Sequence, residues 1–87
     1  MKYKRDIYVN HKSALSKLIS ANGLESMSND VEVIDRIFNL LTENLNVSKI
    51  EGIIQTTEIL KYGGDIEDKK VKEVYYQILD WWNENRI

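Results

Sequence analysis

Apolar residues recur along this chain at intervals of three and four, the spacing that puts side chains on one face of a helix. In the first third Leu15, Leu18 and Ile19 form such a face, and Tyr8 and His11 can extend it toward the N-terminus. This predicts a helix over about 10–22. Gly23 follows, where a left-handed residue ends a helix and would bring Leu24 against Ile19. Residues KYKRDIYV alternate like a strand, but no second strand candidate exists to pair with them, so residues 1–9 are expected to be a basic tail or an early part of the helix.

A second helix is predicted over about 30–46, with Asn29 as its cap and Glu32 reaching back from the third position. Val31, Ile34, Ile37, Phe38, Leu41 and Leu45 fall within an arc of roughly 120°, and Val33 and Leu40 make a second ridge beside it. A helix apolar over so much of its surface is expected to be central. A third helix, over about 49–62, opens on the capping-box pattern SKIE, turns Ile50, Ile53, Ile54 and Leu60 inward, and stops at Gly63 and Gly64.

The fourth helix, about 66–85, has acids at its start, as the helix dipole prefers. Val71, Val74, Tyr75, Ile78 and Trp82 form its core stripe. Trp81 lies about 100° away as a lid on the bundle edge, and Tyr76 points to the opposite, charged face. Four amphipathic segments with short polar joints predict an all-α protein, a single four-helix bundle in up-down-up-down order spanning 1–87.

Composition narrows the chemistry. Among 87 residues there is no cysteine, no proline and one histidine, so disulfides and thiolate metal sites are excluded and zinc has almost no ligands to use. No apolar run approaches the roughly 20 residues of a membrane span, which leads to the expectation of a cytoplasmic protein without membrane association. Abundant isoleucine, asparagine and lysine fit a low-GC bacterium or its phages. The acids in DIED (Asp65, Glu67, Asp68) lack the alternating oxygen ligands of a calcium loop, and Gly63 and Gly64 are not followed by the lysine and serine of a phosphate loop. No nucleophile or acid/base pair stands out. The reading is of a protein without catalytic activity or cofactor.

Net charge is only −2, but its distribution is uneven. Residues 1–17 carry Lys2, Lys4, Arg5, Lys12 and Lys17 against Asp6. Residues 18–68 carry ten acids against Arg36, Lys49 and Lys61. Helical phase places Glu32, Asp35, Asn39 and Glu43 on the outer face of the second helix, and Glu51, Gln55, Glu58 and Tyr62 on that of the third, leading into Asp65, Glu67 and Asp68. Such a face can steer a basic protein into contact, with tyrosine as an anchor.

The stretch LLTENLNVSKIEGI resembles the helix-turn-helix of bacterial regulators, in which a recognition helix follows a short turn. The resemblance implies a DNA-binding regulator whose recognition helix would present Glu51, Gln55, Glu58 and Lys61. Two carboxylates against phosphates are repulsive, so specific DNA binding is not the expected use of this helix. In size, charge and helicity the chain is similar to bacteriocin immunity proteins and to phage-encoded inhibitors of bacterial defence nucleases. That likeness implies an inhibitor of a basic, nucleic-acid-binding protein such as a nuclease. The alternatives are the helix-turn-helix regulator and a self-associating subunit, a homodimer using Trp81 and the Val33/Leu40 ridge.

Overall fold

The computed structural model describes residues 4–85 and the side chains of residues 8–85. Among the described residues five helices follow one another: α1 (Lys4–Ala21), α2 (Glu25–Ser28), α3 (Val31–Glu43), α4 (Lys49–Thr56, continued by a π turn over Thr57–Lys61) and α5 (Asp68–Asn85). No strand occurs among the described residues. The early-helix option for residues before 10 holds from Lys4 onward. Met1, Lys2 and Tyr3 lie outside the described residues, as do the side chains of Lys4 and Arg5, and with them most of the basic leader.

The ends of α1 follow from local chemistry. Gly23 takes a φ of 81°, its N–H donates to the Ser20 carbonyl at 2.9 Å, and the Leu24 N–H reaches back to Ile19. Leu24 and Ile19 are both buried, the apolar contact expected of this cap. Residues 25–28 then form a single helical turn that buries Met27 completely. Four residues carry no periodicity, so nothing in the sequence pattern announced α2.

α3 is capped by Asp30 rather than by Asn29. The Asp30 carboxylate accepts from the Val33 N–H at 3.3 Å, whereas Asn29 closes α2, with its N–H and side-chain amide both on the Glu25 carbonyl. The far end also differs from expectation: Asn44 adopts a left-handed φ of 54°, so α3 stops at Glu43 instead of 46. Leu45 therefore leaves the helical face and is 64% exposed. Val31 sits at the first helical position and is 72% exposed. The buried arc is instead Val33, Ile34, Ile37, Phe38 and Leu41, so Val33 belongs to the core and Leu40 to its margin.

The capping box at Ser48 does not form. Ser48 is itself helical and its side chain makes no cap bond. The N–H groups of Lys49, Ile50 and Glu51 bond three residues back, to Asn46, Val47 and Ser48, a tight entry turn set by left-handed Asn46. Ile50 and Ile54 are fully buried and Ile53 partly so. Past Thr56 the turn widens, with the Tyr62 N–H on the Thr57 carbonyl five residues back. Thr57 takes the inward position and Leu60, predicted to be inward, is 78% exposed.

α5 starts at Asp68, later than its acidic residues suggest. Asp65, Ile66 and Glu67 belong to a nonhelical link in which Ile66 is buried, and burying that side chain delays the helix. The stripe Val71, Val74, Tyr75, Ile78 and Trp82 is buried as its spacing predicts, Trp81 is half-buried and Tyr76 is exposed. α1 packs on α2, α3 and α5, while α4 packs on α3 and α5. An aromatic cluster joins three helices: Phe38 meets Tyr8 and Trp82 edge-on at 5.5 and 5.7 Å, and His11 lies 5.9 and 6.2 Å from the two indoles. The two tryptophans are thus consolidating elements, with Trp82 in the core. The Cα radius of gyration, 12.5 Å, is close to the roughly 12 Å of a compact chain this long.

Candidate functional site

The π turn and the start of α3 are tied together by one carboxylate. Asp30 has a side chain only 7% exposed, and its Oδ2 accepts from Lys61 Nζ at 2.6 Å and from the Tyr62 hydroxyl at 2.5 Å while Oδ1 caps α3. These donors hold the Asp30 carboxyl well below the usual range, at about 2: the bond from Lys61 contributes most, then that from Tyr62, against an opposing effect of burial. The same contacts raise Lys61 and Tyr62. Lys61 also lies over the Tyr62 ring, 5.8 Å from its centre. Tyr62, placed outward by the sequence pattern, remains partly exposed at 37%, but its hydroxyl is engaged.

Holding the C-terminal end of the turn positions an apolar projection. Ile59 and Leu60 stand out from it, and π turns of this kind recur at functional positions. The turn closes on Gly63, whose φ is 65°, and on the Gly64 N–H, which donates to the Glu58 carbonyl at 2.9 Å. A Cβ at Gly64 would run into the Glu58 carboxylate, which packs over this glycine and would have to move aside. Glu58 is consequently half-buried, with Oε2 covered and making no hydrogen bond. It is not the free outward carboxylate that helical phase suggested.

The acidic residues divide into separate settings. Asp35 pairs with Lys12 of α1 at 2.9 Å. Glu43 shares a groove with Arg36 and Lys49. Glu51, Gln55 and Asp68 come together in a groove of about 300 Å³ between α4 and α5, with Lys72 on its edge, and Gln55 donates to Asp68 at 2.7 Å. Glu32, Asp65 and Glu67 are exposed. The contiguous acidic strip is therefore interrupted by cations that the linear pattern left unplaced. Of the four side chains a recognition helix would offer to DNA, Gln55 and Lys61 are engaged within the protein and Glu58 is partly covered.

Asp30 is the residue that sequence reasoning missed. Its signal was present, since an aspartate before an apolar-periodic run is as good a cap as asparagine, but its second role depends on contacts 31 and 32 residues away. Among the described residues no group of three or more His, Asp or Glu side chains could hold a metal ion, and no helix is long and apolar enough to cross a membrane. Comparisons with protein-family models, with curated proteins and with solved structures find no match for the chain.

Proposed function

We propose that this is a non-enzymatic protein-binding module of the bacterial or phage cytoplasm, an inhibitor that docks on a basic, nucleic-acid-binding protein. In this reading the four longer helices form an up-down-up-down frame, and the contact surface lies around the π turn. The observation that supports it is the pairing of an exposed apolar projection, Ile59 and Leu60 beside the Asp30-bound Tyr62, with the exposed carboxylates of Asp65 and Glu67 in the following link. Leucine and tyrosine supply area that holds a complex; carboxylates around them raise the encounter rate with a cationic partner. A rigid turn also lowers the ordering cost of association.

The test uses the heparin-retained proteins of a low-GC bacterial lysate, passed over the immobilised protein with and without excess duplex DNA. A nucleic-acid-binding protein should be retained, displaced by the DNA, and lost from the Asp65→Lys/Glu67→Lys and Leu60→Ala variants. These side chains make no hydrogen bond or ion pair among the described residues, so both variants should keep the wild-type helical content. Retention that DNA leaves unchanged would overturn inhibition by occlusion. Direct binding of duplex DNA by the protein, abolished by Lys61→Ala, would replace this reading with the helix-turn-helix regulator.

A further inference from the structure

Two grooves adjoin along the outer side of the α3–α4 pair. One, of about 340 Å³, is lined by Arg36, Asn39, Leu40, Glu43, Lys49 and Ile53; the other, of about 300 Å³, adds Gly52, Thr56 and Thr57 and shares Arg36, Lys49 and Ile53. Their floor is apolar, from the half-buried Leu40 and Ile53. The rim is cationic. In residues 18–68 ten carboxylates compete for only three bases, yet only Lys61 of the three is ion-paired. Arg36 and Lys49 both reach this groove, and neither lies within ion-pair distance of a carboxylate among the described residues. Glu43 lines the same groove without pairing to either, so the rim sets two cations against one carboxylate.

Gly52 adds an independent observation. It lies inside α4 and is exposed, its φ is not in the left-handed region, and a Cβ there would meet nothing within 4 Å. Neither backbone conformation nor internal packing requires glycine, although glycine weakens a helix interior. What its missing side chain does provide is bare helix backbone beside the groove, open to close approach by another chain.

We infer that the α3–α4 groove binds an acidic, amphipathic peptide segment of a partner protein, separately from the π-turn surface. Its carboxylates meet Arg36 and Lys49, an apolar side chain covers Leu40 and Ile53, and its main chain passes over Gly52. Arginine forms bidentate bonds with a carboxylate, and the lysine adds a second positive charge. The apolar floor and the presence of Glu43 favour a peptide over a nucleic-acid backbone, whose affinity rests on many cations.

A displayed random peptide library panned on the full protein tests this directly, with the Arg36→Glu/Lys49→Glu and Gly52→Gln variants as counter-screens. All three positions are exposed, so circular dichroism should show wild-type helicity, and Gly52→Gln should unfold at a higher temperature than wild type. Enriched peptides should combine acidic and apolar residues. The affinity of each, measured by fluorescence anisotropy, should fall on the order of tenfold or more for both variants and weaken with salt. Failure to enrich peptides, enrichment of peptides without acids, or equal binding to the variants would overturn the inference. So would duplex DNA binding that the same variants abolish, because the groove would then serve phosphates.

Discussion

Replacing Asp30 by asparagine tests the joint between α3 and the π turn. Asparagine keeps an acceptor that can cap α3 but removes the charge to which Lys61 and Tyr62 donate. A carboxyl moved from 3.8 to about 2 on folding corresponds to about 2 kcal/mol, at about 1.4 kcal/mol for each tenfold change in proton affinity. Because the folded value is the depressed one, this stabilisation is complete above the ordinary value of 3.8 and disappears as pH falls through it toward about 2. Urea denaturation followed by tryptophan fluorescence should therefore place Asp30→Asn about 2 kcal/mol below wild type at neutral pH, with the gap closing near pH 2. Asp30→Ala should lose about 1 kcal/mol more at neutral pH, because the cap goes as well. Lys61→Ala should change the stability of Asp30→Asn far less than that of wild type, since the partner is already gone. A gap that is equal at both pH values, or absent at neutral pH, would refute the assignment of Asp30 as the charged clasp.

Trp82→Ala should cost about 3–5 kcal/mol and Tyr76→Ala well under 1, because Trp82 meets Phe38 and Trp81 while Tyr76 is exposed; chemical denaturation compares them. Gly52→Ala should raise the thermal midpoint, stabilising by up to about 1 kcal/mol, whereas Gly64→Ala requires only that the flexible Glu58 side chain, whose Oε2 has no partner to lose, move aside, and should leave the midpoint close to that of wild type. Leu60→Ala should change stability by about 0.5 kcal/mol or less and Ile54→Ala should cost about 2–5; equal losses in denaturation would show that the π turn does not turn Leu60 outward.

The sequence by itself determined which long segments are helical, where α1 ends, and which side of α5 is buried. Each of these rests on residues within a few positions of one another: the three- and four-residue spacing that buries Val71, Val74, Tyr75, Ile78 and Trp82, and the glycine at 23 that can adopt a left-handed φ. Local signals also had equally good competitors, which is why Asp30 rather than Asn29 caps α3 and why the Ser48 box stays unmade. Tertiary structure decided the rest. Leu60 faces outward because α4 widens into a π turn before Gly63, Leu45 because Asn44 ends α3 early, and Ile66 is buried in a nonhelical link that periodicity cannot describe. The candidate sites depended most on the fold. Charge sign is written in the chain, but whether a charge is engaged depends on side chains brought together from distant positions: Asp30 meets Lys61 and Lys12 meets Asp35, while Arg36 and Lys49 share a groove with Glu43 and form no ion pair among the described residues.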